Sequence, residues 1–478
     1  MFAVSCFQSR NNIRKKDKMN ITFIGGGSLR LLPILRGILA EVPEIFRNGE
    51  IRLVDLKLER AEAVGKLLLA CPEYNAVSCR VIWTDDLDSA LKGTDVLYLT
   101  MAARRDPSET QSVFLANRYG YVSSDNLSVN GAFLSLRLGR TILNIAQKME
   151  KICPNALMLL FPNPVSVYSC LVNTYTKVRA LGICGGFNNH RYDLTRLTGR
   201  DAFDPGWDVV AAGVNHLSYI LRGTYCGEDL YSEIMPRYLT DGWKPLEVES
   251  PYEWARDGMR QGQIFLYQMF RRYGKFIFST ESDGSAHIFP EESVRLQIKR
   301  FGRGENYDPA AVAKEVNEAE RTRFASFIES SKNPEKIDWS ASGGYYGKID
   351  TDITIPIFRA LAGTAKMRIV ASRPNYGAVR DFSPDTPLEY TMDILGQSVT
   401  PVEDQYIPAP FYGLTASLAE FQRLQAEAIA KWDPRIFADA LDAYPVHRFM
   451  DCSKRFFREM FDIYTDLDPH MREAVQYF

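Results

Sequence analysis

The chain alternates short, nearly continuous apolar runs with longer stretches whose apolar residues recur at helical spacing. The first run is Ile21-Thr22-Phe23-Ile24, the second Ile51-Arg52-Leu53-Val54, and the third Asp95-Val96-Leu97-Tyr98-Leu99-Thr100. Such runs, bounded by turn residues, predict strands buried on both faces. Between them the pattern predicts a helix from about Leu29 and a short helical stretch from Asp88 to Lys92. Strand, helix, strand, helix, strand is how a doubly wound parallel sheet begins. Further on, Ile142, Ile145, Ala146 and Met149 give one apolar face to a helix predicted over Leu138 to Lys151. Ala156 to Phe161 reads as the next buried strand, and the run from Ala180 ends on Cys184 at a strand tip. The later chain predicts a charged amphipathic helix from Pro309 to Ser331 and sheet from Ala365 to Ser372 with Val379. Closing helices follow from Leu414 to Asp433 and from Pro434 to Ala443.

Composition narrows this little. A chain of 478 residues has room for two domains, and 46% hydrophobic with 24% charged residues is ordinary for a globular protein. A formal net charge of −2 argues against a nucleic-acid footprint, and no apolar run approaches a membrane span. Eight cysteines are scattered without a CxxC pair, which points to reduced thiols and a cytoplasmic setting. The expected division is an N-terminal extension over 1–18, expected to be disordered, a dinucleotide-binding domain over 19–200 and a second domain over 201–478. No Pro/Gly-rich linker separates the last two, so His216 is expected where the second domain folds back over the first. The aromatic residues Trp254, Phe265, Tyr267, Phe456 and Phe457 are expected in the core or a subunit interface rather than as sugar platforms.

Candidate chemistry begins at Gly25-Gly26-Gly27-Ser28, where the first strand ends in glycines and hands over to a helix. Glycine permits a sharp turn and close approach of main-chain N–H groups to a pyrophosphate, with the helix N-terminus aimed at it. Asp55 closes the second strand where an NAD ribose is held through its hydroxyls, and its charge disfavours a 2′-phosphate, so NAD is preferred over NADP. Arg30 stands where the third glycine of G-x-G-x-x-G would be. Arg104 and Arg105 follow the third strand, facing either an anion or sugar hydroxyls, or only solvent. Pro162-Asn163-Pro164 presents the Asn163 amide from a rigid turn at the sheet's ligand edge. Cys184 and His216, thirty-two positions apart, are a thiolate and an imidazole suited to a divalent transition metal, although lone cysteines are commonly buried hydrophobes.

Taken together, Ile24-Gly25-Gly26-Gly27-Ser28, the Asn163-Pro164 turn, Gly182-Ile183-Cys184 and Gly213-Val214-Asn215-His216 resemble glycoside hydrolase family 4, in the same order and at similar spacing. Thr280-Glu281-Ser282 with His287, Gly343-Gly344-Tyr345-Tyr346, and Asn375-Tyr376-Gly377 through Pro384-Asp385 are similar to later elements of that family. The resemblance runs from about Met19 to the C-terminus. It implies a Rossmann-type doubly wound parallel sheet followed by an α+β second domain of lactate/malate dehydrogenase C-terminal type. It also implies hydrolysis outside the two-carboxylate scheme. NAD takes hydride from C3, a base removes the C2 proton while a divalent metal, usually Mn2+, stabilises the enediolate, the glycosidic oxygen leaves by elimination, water adds and the hydride returns. On this resemblance Cys184 and His216 are the metal ligands, Asn163 meets sugar hydroxyls, Asn375 belongs to a substrate-binding strand, and Gly25, Gly26, Gly27, Ser28 and Asp55 hold NAD. A homodimer or homotetramer is implied too.

The chain also departs from that pattern. Gly185 occupies the position after the cysteine where family members carry His, Asn or Asp, so the general acid comes from elsewhere, with His190 a candidate, or is not needed. The segment holding the family's tyrosine base is two residues longer here, which leaves Tyr273 and Lys275 as candidates; the same stretch also reads as a helix end whose cations suit the C-terminal dipole. Pro374 stands where members acting on 6-phosphorylated sugars carry an arginine, and Arg373, one residue away, would face the opposite side of a strand. The expected substrate is therefore an unphosphorylated hexose or hexuronic acid glycoside. The alternatives are a 6-phospho-glycosidase, an NAD-linked dehydrogenase, or an inactive NAD- and sugar-binding homologue.

Overall fold

The structure is a computed structural model that describes residues 18–77, 79–101, 107–201, 204–247, 249–250, 253–277, 282–300, 308–341, 344–350, 353–447 and 450–478. Its strands are β1 (Asn20–Ile24), β2 (Glu50–Val54), β3 (Arg80–Thr84), β4 (Val96–Leu99), β5 (Leu157–Leu160), β6 (Arg179–Gly182) and β7 (Trp207–Val214). After these come β8 (Leu217–Tyr225), β9 (Glu228–Asp229), β10 (Phe276–Ile277), β11 (Met367–Pro374), β12 (Pro387–Leu395) and β13 (Ser398–Pro401). The first six form a parallel sheet in the order β3-β2-β1-β4-β5-β6, the doubly wound dinucleotide-binding arrangement. Every residue of β4 and β5 is buried, because helices cover both faces and the strands carry no polar side.

The sheet does not stop at the boundary between the halves. β11 pairs antiparallel with β6 at Ser372 and Gly182, and β12, β7, β8 and β10 continue outward in that order, all antiparallel. The junction is reinforced from a helix, Val165–Tyr175, whose Ser169 Oγ donates to Ser372 O at 2.7 Å and whose Ser166 Oγ meets Ser372 Oγ at 3.0 Å.

Helix positions follow the sequence pattern, with one instructive shortfall. The helix predicted from Leu138 begins at Val129 and runs to Ile152. From Val129 through Leu136 every residue is buried, so this part has no polar face and no helical period for the pattern to show. Ser128 caps it, accepting from Asn130 N. The closing helices Tyr412–Lys431 and Pro434–Ala443 lie within two residues of their predicted bounds, and Val379 forms only an isolated bridge to Gln405. Phe265, Phe456 and Phe457 are core residues and Tyr267 stacks on Trp243, while the Trp254 side chain lies outside the described residues. Among the described residues no helix is long and apolar enough to cross a membrane.

Candidate active site

The cofactor end of the site is built from the glycine turn after β1. Gly25 has φ +80°, and a Cβ there would lie 2.8 Å from Met101 N. At Gly26 a Cβ would fall 2.7 Å from Val54 N, so the turn seats directly on β2 only because these residues lack side chains. Asp55, one residue past β2, accepts from Gly27 N and from Lys57 N, each at 2.9 Å. Its carboxylate is thus fixed at the strand end with lone pairs to spare, as ribose hydroxyls require. The next helix, Leu31–Glu41, starts just past the turn, and the Arg30 guanidinium reaches across to lie 4.2 Å from the Phe161 ring. The turn, the carboxylate and the helix start fit a dinucleotide.

The second end is where the two halves of the sheet meet. Cys184 lies two residues past β6, at the start of the helix Gly186–Thr198, and its Sγ accepts from Gly186 N at 3.3 Å. His216 comes from the two-residue turn that joins β7 to β8, with φ +67°, a region histidine enters more readily than bulkier residues. That turn is anchored from below. Asn215 Nδ2 donates at 2.7 Å to Glu389 Oε2, and Glu389, opposite Gly213 in β12, is buried so that desolvation raises its carboxyl above the usual range. The imidazole Nε2 thereby comes to 3.3 Å from Cys184 Sγ. Ligand bonds of about 2.0 to 2.3 Å to one tetrahedral ion set nitrogen and sulfur about 3.5 Å apart, so the pair fits a divalent cation.

A carboxylate completes this cluster. Asp283 Oδ2 lies 3.3 Å from His216 Nδ1, and both side chains are only 11% exposed. A carboxylate facing the far ring nitrogen favours a proton there and a lone pair on Nε2, the arrangement found behind metal-bound histidines. Asp283 sits in the four-residue helix Ser282–Ser285. One turn later, buried His287 donates from Nδ1 to Asp283 O at 3.0 Å and accepts at Nε2 from Tyr444 OH at 3.1 Å. Burial pushes the His287 pKa down to about 4. Because the folded pKa lies below the unfolded one, His287 leaves stability intact above pH 6.5 and withdraws it progressively as pH falls toward 4. The loss is expected to reach about 3 kcal/mol. Urea titrations across that range should show it in the parent and a flatter profile in His287→Gln; parallel profiles would assign the acid sensitivity elsewhere.

The remaining candidates fall into three groups. Asn163 lies at a cis Asn163–Pro164 peptide, and its Nδ2 donates to the exposed Asp125 carboxylate at 2.9 Å, so an amide and an acid stand together at the end of β5. Asn375, expected on a substrate-binding strand, is fully buried; its Nδ2 donates to Val379 O and Phe382 O, and its Oδ1 accepts from Val379 N, so the amide braces its own loop. The two expected bases make the following contacts. The helix Glu253–Tyr273 ends at Tyr273, whose OH accepts from Arg272 Nε and whose ring packs on Phe411. Lys275 Nζ donates to Leu221 O at 2.6 Å and lies over the Tyr231 ring, with burial lowering its pKa. Leu221 is four residues along β8 from Leu217, or about 13 Å at roughly 3.3 Å per residue. Arg104, Arg105, Thr280, Glu281 and the His190 side chain lie outside the described residues. Asp283 and Asp125 were not anticipated from sequence; each is a single acid in a short segment without periodicity.

Among the described residues, no group of three or more His, Cys, Asp and Glu side chains is placed to hold a metal. Comparison with known proteins adds the following. Residues 20–198 match the model of the family 4 glycosyl hydrolases, and residues 211–446 match that of the family 4 glycosyl hydrolase C-terminal domain. The chain is 24% identical over 472 residues to an alpha-galacturonidase of Thermoanaerobacter italicus, covering 94% of this chain and 97% of that protein. It is 28% identical to an alpha-galactosidase of Bacillus subtilis, covering 45% of this chain and 50% of the other. A 6-phospho-alpha-glucosidase from gut microorganisms, solved with NAD and Mn2+, superposes with a TM-score of 0.77 at 19% identity, covering 95% of this chain and 100% of that one.

Proposed function

We propose, from the premise that the chain belongs to the family 4 glycosyl hydrolases, that it is a glycosidase using NAD and a divalent metal, Mn2+ by preference, on an unphosphorylated hexose or hexuronic acid glycoside. The observation that carries this is the 3.3 Å approach of Cys184 Sγ and His216 Nε2 at the carboxyl edge of the parallel sheet, with Asp283 behind the imidazole. When bound, the dinucleotide supplies reversible oxidation at C3 and the cation supplies Lewis acidity toward the hydroxyls at C2 and C3. The chain's own residues do the rest. Asp283 keeps the proton of His216 on Nδ1, and Glu389 through Asn215 holds the turn that aims the ring. Asn163 and Asp125 offer a donor and an acceptor to sugar hydroxyls. Of the two expected bases, Tyr273, whose OH accepts from Arg272 Nε, is the proposed acceptor of the C2 proton, and Lys275, bonded to Leu221 O, takes no part; His190, four residues into the helix that starts at Gly186, is the proposed proton donor to the leaving oxygen.

The unphosphorylated substrate is supported by Arg373, whose guanidinium is stacked 4.8 Å from the Tyr376 ring, and by the galacturonidase and galactosidase relatives. The reading includes a cytoplasmic homodimer or homotetramer; the seven cysteines among the described residues are free thiols, as a reducing compartment requires. The test is a panel of aryl α- and β-glycosides, each with and without a 6-phosphate, assayed with NAD, manganese and a reductant. Turnover of unphosphorylated members that depends on both additives is expected. Cleavage independent of NAD would end the oxidative reading, and turnover confined to the 6-phosphates would overturn the substrate.

Asp55→Ala should weaken NAD binding by about tenfold or more, the cost of losing hydrogen bonds to a charged acceptor, and should erase the preference over NADP. Calorimetry with both dinucleotides reads this directly; an unchanged NAD-to-NADP ratio would remove Asp55 from cofactor selection.

A further inference from the structure

A cleft of about 800 Å³ opens beside the start of the helix Leu31–Glu41, outside the Cys184–His216 cluster. One wall is Leu29, Arg30 and Pro33, the second is the helix Pro309–Ser330 through Arg323, Ser326 and Phe327, and the third is the loop carrying Tyr345, Tyr346 and Lys348. This volume is in the range that holds a small ligand.

Its charge is one-sided. Arg30, Arg323 and Lys348 line it against one acid, Asp350. Among the described residues, none of the three cations is within ion-pair distance of a carboxylate. The loop wall is nonetheless held firmly. Buried Arg36 grips Glu73 through both carboxylate oxygens, at 2.8 and 2.7 Å, and donates to Tyr346 O and Lys348 O. Tyr345 OH also donates to Leu29 O, tying the loop to the turn. Guanidinium groups match a carboxylate in plane, and aromatic faces suit the C–H face of a sugar ring. The Arg30 guanidinium lies 4.2 Å from the Phe161 ring at the other side of the turn.

We propose that this cleft is a second carbohydrate site, apart from the Cys184–His216 pair, and that it takes a uronate ring through Arg323, Lys348 and Arg30. The carboxylate-sugar site does not depend on the glycosidase reading above. The test is calorimetric titration of the full-length protein, saturated with NAD and with divalent cation chelated, with galacturonate and with galactose. Galacturonate is expected to bind and galactose to bind at least tenfold more weakly. The pair Arg323→Ala and Lys348→Ala together should weaken galacturonate tenfold or more, leaving NAD affinity within twofold and aryl glycoside turnover unchanged. Absence of galacturonate binding, or binding untouched by the double variant, overturns the proposal. So does binding that appears only with manganese, which would place the sugar at the Cys184–His216 pair, or an equal loss of NAD affinity, which would give the cleft to the cofactor. Loss of the site with turnover intact would leave the glycosidase reading standing.

Discussion

Cys184→Ser and His216→Asn are each expected to remove bound divalent metal and turnover together while leaving the unfolding transition close to that of the parent. Loss of a carboxylate or carbonyl partner behind a metal-bound histidine already costs about 10- to 100-fold in affinity or activity, and a direct ligand exceeds that. Here the described residues provide no third side chain to compensate, so one ligand would remain. The fold should tolerate both changes. Cys184 is a half-buried loop residue, and asparagine accepts the positive φ that position 216 requires, where alanine would add backbone strain to the result. Metal content by mass spectrometry after purification under reducing conditions, read beside manganese-stimulated turnover, decides it. Either variant retaining full manganese response places the metal elsewhere.

Gly284→Ala should be nearly as damaging, although the residue carries no chemistry. A Cβ at Gly284 would lie 2.1 Å from His216 O, a main-chain atom that cannot swing aside as a side-chain tip does. Either the helix Ser282–Ser285 or the His216 turn must move by about an ångström, and overpacking of this kind costs about 1 to 3 kcal/mol. The displaced element carries Asp283 or His216 itself. A misplacement of about 1 Å in a positioning element can lower activity about 100-fold, so kcat is expected to fall much further than stability. Gly258→Ala, where a Cβ would have nothing within 4 Å, is the control. If Gly284→Ala kept parental kcat, the contact between Asp283 and His216 would not matter to the reaction.

The parallel half of the fold was legible because each strand is an apolar run between turn residues, and burial on both faces leaves no other use for such a run. The same uniform burial hid the first part of the helix from Val129, where no polar stripe exists to betray the turn of the backbone. At the site, Cys184 and His216 stood out as candidate ligands of one metal, but residue types give no distance; the strands 367–374 and 387–395, remote in sequence, bring them together. Asp283 was illegible for the same reason, a single acid in a four-residue helix that matters only through what packs against it. Nothing in the residues around Asn375 announced that its amide would bond its own loop. Lys275 stood out as a candidate base, but its partner Leu221 O belongs to a strand fifty-four residues earlier, which no local pattern could show.

The sheet order β8-β7-β12-β11-β6 has a bearing on how the protein is made. The glycine turn and Asp55 belong to strands that pair with near neighbours in sequence, so a chain still emerging from the ribosome can assemble the cofactor end early. The hairpin that carries His216 is synthesised next, but its place in the sheet is beside β12, which is not yet made. Until residues 387–395 leave the ribosome, that hairpin has one unpaired edge and no Glu389 to hold Asn215. The edge of the hairpin that meets β12 is therefore completed only after the whole parallel half of the sheet has been synthesised.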